Sequence, residues 1–241
     1  MTGLRRSPPL AVSRLVELAG PAGAGKSSVF LSLLARTQNV GVAPVLRTRE
    51  YAPVLATNVP AILATLARRR AISGLTCEKL RSMVYLRALP RLIERRPPHE
   101  AEVLVFDQGP LYLLSEAQLR DERLATWRRE TLETWASLLD AVVWLDAPDD
   151  VLVERIDARS KWHRLKGGRP ETAVDVLAEA RAAYGEMISS LAARDDGPAI
   201  LRFDTSRASP DDVVDSVLER VDGFTAALRP DAPPEHVPLR G

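Results

Sequence analysis

The chain has 241 residues, 46% of them hydrophobic, which excludes a disordered polymer and provides for one full α/β core or at most two small ones. A net charge of +1 argues against a general nucleic-acid binder, and a single cysteine, Cys77, excludes an internal disulfide and a cysteine-based metal cluster. No apolar run reaches transmembrane length and Met1 to Pro9 lack an apolar signal core, so a soluble, cytoplasmic protein without a membrane partner is expected.

In chain order, residues 1–12 read as a flexible, Pro-containing leader, and Leu15 to Ala19 as a short strand. Gly20 to Ser27 is a G-x-x-x-x-G-K-S loop, and Ser28 to Arg36 opens an amphipathic helix. Val42 to Thr48 predicts a second strand ending in the polar cluster Arg47-Thr48-Arg49-Glu50. Pro60 to Arg96 is helical in pattern, broken near Ser73-Gly74, with a kink expected at Pro90. Glu102 to Asp107 is an apolar run ending in an acid, which suits a buried parallel strand. A helical stretch from Leu111 to Asp140, long enough for two helices, leads to a further buried strand, Ala141 to Asp146. Asp149-Asp150 opens a helix to about Ser160, and Lys161 to Pro170 is a basic, Gly-containing loop. Glu171 to Ala193 is helical, Ala199 to Phe203 a last strand, Pro210 to Leu228 a last helix, and 229–241 a Pro-rich tail. Strands alternating with helices predict one α/β domain over 13–228, with a parallel sheet of about five strands covered on both faces.

The loop carries the chemistry. A strand, a glycine-rich turn and a helix N-terminus aim successive backbone N–H groups at one place, where a polyphosphate gains charge-assisted hydrogen bonds. Gly20, Ala22, Gly23, Ala24, Gly25, Lys26, Ser27 and Ser28 are the expected cradle of a nucleoside triphosphate, with Lys26 reaching the β- and γ-phosphates and Ser27 offering its hydroxyl to Mg²⁺. Asp107, at the end of its strand, can hold Mg²⁺ or accept a proton from an attacking hydroxyl; Asp146 reads as structural. Arg155 and Arg159, four residues apart, share a helical face, and Lys161, Arg164, Lys166 and Arg169 extend the charge into a basic lid over about 155–170. Glu50, Asp107 and the loop all fall at strand carboxyl ends and should converge on one cleft.

These stretches together resemble the nucleoside and nucleoside-monophosphate kinases, most closely their thymidylate-kinase-like branch. Gly20 to Ser27 matches the phosphate loop, Thr48-Arg49-Glu50 resembles the Thr-Arg-Glu of that branch, and Val103 to Asp107 matches the strand with its terminal acid. Leu145 to Pro148 with Val151 to Arg159 resembles the strand, proline and arginine-bearing lid helix. Asp204-Thr205-Ser206 is similar to the loop that contacts the adenine base. The resemblance spans about 13–225 and implies the P-loop NTPase fold, MgATP as donor and Arg155 and Arg159 neutralising transition-state charge. It also implies a dimer through the long helices, and an acceptor pocket lined from the helix after Thr76, where Arg81 and Tyr85 lie one turn apart. Tyr112 is a further candidate there.

The departures fall on the acceptor side. Asp107-Gln108 stands where the branch has Asp-Arg, the arginine of which holds an acceptor phosphate; Tyr51-Ala52-Pro53 replaces Pro-Gly-Gly, and Ala19 stands where an acid often precedes the loop. Arg49, Glu50, Arg81, Tyr85 and Gln108 are the expected acceptor contacts, with Asp107 or Glu50 as general base; Glu50 sits where related nucleoside kinases place theirs. The expectation is an ATP-dependent kinase acting on a small phosphoryl acceptor, a nucleoside monophosphate or a nucleoside-like compound. The alternatives are a phosphotransferase for a sugar or secondary-metabolite hydroxyl, and a nucleotide-binding regulatory protein that hydrolyses slowly.

Overall fold

A computed structural model describes residues 14–43, 52–94, 103–116, 119–159 and 170–227. The leader, the polar cluster 44–51, the lid loop 160–169 and the tail lie outside the described residues.

Five parallel strands make one sheet: β1 (Arg14–Ala19), β2 (Val40–Val42), β3 (Val103–Phe106), β4 (Ala141–Asp146) and β5 (Ala199–Asp204), in the order β2-β3-β1-β4-β5. Val16 of β1 is in register with Val105 on one side and Ala141 on the other. The chain goes from β1 outward across β3 to β2, and later to β4 and β5 on the opposite side, so the direction of winding reverses at β1. A ligand crevice belongs at the carboxyl end of the strand where that reversal falls.

The pleat sends alternate side chains to opposite faces, and both faces are covered. Val16, Leu18, Val105, Val143 and Leu145 pack under α1 (Lys26–Arg36), α6 (Asp149–Ala158) and α8 (Pro210–Ala227). Leu15, Leu104, Phe106, Val142 and Trp144 pack under α2 (Ala52–Arg68), α3 (Cys77–Glu94), α4 (Pro110–Ser115), α5 (Ala125–Ala136) and α7 (Pro170–Ala192). Trp135 of α5 is wholly buried and meets Phe106 edge-on, with centroids 6.1 Å apart and planes at 89°. Trp127 is buried in the same layer. The two tryptophans are therefore core, and truncating Trp135 to alanine is expected to lower stability by about 3–5 kcal/mol, read as a shift of the thermal midpoint.

Three elements differ from the sequence expectation. β2 pairs from Val40, two residues before the expected start at Val42, because its register with β3 begins at Val40↔Val103; the expected continuation over 44–48 lies outside the described residues. α2 begins at Ala52 and runs through Pro60, because Val59, Ile62 and Leu66 bury against the α3 side of the core and outweigh the missing proline donor. α6 stops at Ala158: Arg159 is already extended (φ −65°, ψ 140°), so it does not continue the helical face of Arg155. The long stretch after Gly109 divides into α4, a 3-10 turn at Glu122–Leu124 and α5. α8 begins with a reciprocal cap, the Ser209 hydroxyl accepting from Asp212 N–H (3.2 Å) while Asp212 accepts from Ser209 N–H (2.8 Å).

Candidate functional site

The phosphate loop follows β1 directly and ends at Gly25, the N-cap of α1. Its backbone is possible only with glycine at two tight points. Gly20 has φ 147°, and a Cβ there would lie 2.1 Å from the Leu145 carbonyl oxygen; at Gly23 (φ 87°) a Cβ would lie 2.7 Å from that of Leu152. The loop is thereby pressed onto β4 and α6, leaving the α1 N-terminus open with its unpaired N–H groups.

Lys26 Nζ donates to the carbonyls of Gly20 (2.7 Å) and Pro21 (2.8 Å). Burial lowers its pKa to about 8, with the Asp107 charge pulling it up and the Arg159 charge pushing it down. Ser27 Oγ faces both carboxylate oxygens of Asp107 at 3.4 and 3.5 Å. Two hard oxygens at that spacing suit Mg²⁺, which keeps several waters and takes its other ligands from substrate phosphates. Among the described residues no three His, Cys, Asp or Glu side chains gather as a metal cage.

One cavity lies beside the loop and another includes Asp107. The first, of about 350 Å³, lies between Gly23, Gly25, Ser28, Arg155, Arg159 and Thr205, and is closed by the start of α8. It brings together both arginines despite the early end of α6. Arg155 donates to the Thr205 hydroxyl (2.9 Å) and carbonyl (2.8 Å), tying α6 to the loop after β5. Asp204 does not line this cavity: its carboxylate is turned to Ser206, whose hydroxyl (2.5 Å) and N–H (2.9 Å) hold it below the usual carboxylate range. Ala24 is fully buried under the loop, and Ala22 packs partly buried against the same layer.

The second cavity, of about 530 Å³, lies at the carboxyl ends of β2 and β3. Arg81, Tyr85, Asp107, Gln108 and Tyr112 all line it, joined by Phe30, Phe106, Ser82, Glu78 and Glu116. Arg49 and Glu50, the remaining acceptor candidates, lie outside the described residues, as does the basic loop Lys161 to Arg169.

Asp146 has a structural partner that sequence reading missed. Arg181 of α7 clamps its carboxylate through Nε (3.1 and 2.9 Å), also bonding the Ala147 carbonyl (2.8 Å) and Asp149 (2.5 Å). This fixes α7 to the β4 end, and nothing in the spacing of the two residues signals it. A second missed residue is Glu17, wholly buried in the middle of β1. Its Oε2 and Oε1 accept the Leu111 and Tyr112 N–H groups, each at 3.0 Å. Burial pushes its pKa up to about 8 against these bonds. A charged residue within Leu15-Val16-Glu17-Leu18-Ala19 was the available signal.

No helix among the described residues is long and apolar enough to cross a membrane. No family model matches the chain, and no curated protein matches it. Among solved structures, deoxyadenosine kinase from M. mycoides with the products dCMP and dCDP is similar at 15% identity and a TM-score of 0.50, over 87% of this chain and 99% of that one. The same enzyme with bound dCTP gives 13% identity and a TM-score of 0.49 over the same shares. At such identity the first likeness is one of architecture: the five-stranded parallel sheet with helices on both faces and its loop after β1 are the P-loop NTPase fold, as the sequence predicted.

Proposed function

We propose that the chain is an ATP-dependent phosphotransferase that moves the γ-phosphoryl group of MgATP to a hydroxyl of a nucleoside-like small molecule. The observation that carries the reading is a phosphate loop with a cavity beside it at Gly23, Gly25 and Ser28, and a second cavity, bounded by α3, β3 and α4, whose Asp107 approaches Ser27 of the loop at 3.4 Å. A donor held in the first presents its terminal phosphate to an acceptor held in the second. The likeness to a deoxyadenosine kinase supports a nucleoside as the kind of acceptor.

The charge of the second cavity favours a hydroxyl over a phosphate acceptor. Among its described lining residues Arg81 stands against three carboxylates, Glu78, Asp107 and Glu116, and Gln108 supplies an amide where an acceptor phosphate would want a guanidinium. The aromatic rings of Phe30, Phe106, Tyr85 and Tyr112 suit a flat, uncharged base.

In this reading Lys26 and the loop N–H groups hold the β/γ-phosphates, while Arg155 and Arg159 neutralise charge on the transferring group. When bound, Mg²⁺ supplies further charge neutralisation at Ser27 and Asp107. The attacking hydroxyl gives its proton to Asp107 or Glu50. Since the protein contributes little covalent chemistry, positioning carries most of the rate.

The test is acceptor-dependent ADP release from MgATP with deoxyadenosine, other nucleosides, nucleoside monophosphates and sugars, against a Lys26→Ala blank. Stimulation by an uncharged nucleoside and not by its monophosphate is expected. Stimulation by a monophosphate alone overturns the hydroxyl assignment and moves attention to Arg49 and Arg81. Stimulation by sugars alone favours the secondary-metabolite alternative. Silence across the panel with MgATP bound favours a non-catalytic nucleotide binder.

A further inference from the structure

Glu17 occupies a place that should hold an apolar residue. It has no exposure, it sits on the central strand, and its neighbours on that face, Leu15 and Ala19, are core. Burying an acid is unfavourable unless its oxygens are satisfied, so what satisfies them is informative. Both oxygens are spent on one short segment: Oε2 on the Leu111 N–H and Oε1 on the Tyr112 N–H, with the Gly109 backbone a third donor. The contact is close enough to dictate a residue there. A Cβ on Gly109 would lie 2.7 Å from Glu17 Cδ and 2.9 Å from Oε2.

The segment so held is the one that carries the site. Asp107, Gln108 and Tyr112 line the acceptor cavity, and Asp107 also faces Ser27. α4, which follows, has six residues and cannot hold its own first turn without outside acceptors for its leading N–H groups. Glu17 lies three residues before Gly20, on the strand that delivers the phosphate loop. One side chain therefore ties the donor strand to the acceptor turn through the inside of the sheet. Tyr184 of α7, in the same core layer, has its phenol pushed up by burial and then by Glu17.

We propose that Glu17 is a positioning residue that sets the Asp107–Tyr112 turn, and with it the spacing between the phosphate loop and the acceptor wall. The kinetic part of this inference rests on the phosphotransferase reading above; the structural part does not.

The test uses the full chain with Glu17→Leu, which keeps the volume and removes both acceptors, and Glu17→Gln, which keeps one. Gly109→Ala displaces the same turn from its own side with the β1 sequence unchanged, its Cβ crowding Glu17 Cδ and Phe106 Cβ, each at 2.7 Å. Two readouts separate the inference from the function it serves. The first is hydrogen–deuterium exchange of the peptide covering 107–116 against the peptide covering α1. The second is the KM and kcat for deoxyadenosine beside the KM for MgATP. In Glu17→Leu, exchange in 107–116 is expected to rise about tenfold with α1 unchanged, as the loss of buried acceptors requires. Acceptor KM should rise and kcat fall, each about tenfold, with the MgATP KM within about twofold, since a misplaced acceptor wall costs orientation and not donor binding. Glu17→Gln should fall between Glu17→Leu and the wild type, and Gly109→Ala should reproduce the pattern. If deoxyadenosine is not phosphorylated, the kinetic readout moves to whichever acceptor of the panel is; if none is, the phosphotransferase reading fails and the exchange contrast alone decides the structural part. If Glu17→Leu does not fold, Gly109→Ala and Glu17→Gln decide. Folded variants with wild-type exchange in 107–116 overturn the inference, as do variants whose acceptor KM and kcat match the wild type.

Discussion

Lys26→Ala is expected to reduce phosphoryl transfer by about 10²–10³-fold while leaving a folded chain, the scale found when one preorganised charge-stabilising donor is removed from a water-excluded site. The ammonium is fastened by the Gly20 and Pro21 carbonyls at 2.7 and 2.8 Å, so it waits at the loop without having to be recruited. In the proposed reaction that fastening holds the charge where β/γ-phosphate charge would develop, and fixed charges need no reorganisation at the moment of transfer. Losing the two hydrogen bonds costs about 0.5–1.5 kcal/mol each. Removing a buried cation offsets part of that, because burial already lowers the Lys26 pKa to about 8. The measurement is acceptor-dependent ADP release, with circular dichroism melting on the same samples. Turnover retained in a folded Lys26→Ala would remove Lys26 from the mechanism.

Stability is expected to fall as pH rises from about 5 to 9, and Glu17→Gln is expected to remove most of the slope. The Glu17 carboxyl titrates at 4.5 unperturbed and at about 8 in the fold, burial being the largest cause. Between those values the native state holds a proton that the unfolded chain has released. Unfolding then becomes easier with each step up in pH, until the native group also ionises above about 8. The steepest part is worth about 1.4 kcal/mol per pH unit, or roughly 3–5 °C of thermal midpoint for a chain of this size. The groups facing Glu17 are the Leu111 and Tyr112 N–H groups of α4 and Tyr184 of α7, whose phenol stays protonated throughout this window. Glu17→Gln imitates the protonated acid and cannot ionise, so its curve should be flatter and should cross that of the wild type near the top of the window. The comparison needs only thermal melts of the two proteins from pH 5 to 9. Parallel curves would mean that the carboxyl is satisfied well enough to ionise at its ordinary pH.

The contrast between Glu17 and Lys26 shows where local pattern stops being informative. Lys26 was legible because the phosphate loop is a local device: strand, glycines, lysine and helix start occupy consecutive residues, and their chemistry follows from spacing alone. Asp107 was legible for the same reason, as an acid ending an apolar run, and α/β architecture followed from strands and helices in alternation. The meeting of Arg81, Tyr85, Asp107 and Gln108 at one cavity could be anticipated only through the resemblance to kinases, since α3 and β3 are far apart in the chain.

Other features depend on partners distant in sequence. Glu17 finds its donors 94 and 95 positions away, and Arg181 finds Asp146 35 positions away. A lone acid in an apolar strand could equally have been an edge residue facing solvent; packing β1 between β3 and β4 is what buries it. The starts of α2 and β2 were misplaced because core contact and β3 register, both non-local, outweighed the local signal. Residues close in sequence thus declared the nucleotide loop and the fold class. Burial and long-range pairing, which exist only once the sheet has closed, decided which carboxylate is buried against the Leu111–Tyr112 backbone and which one is clamped by Arg181.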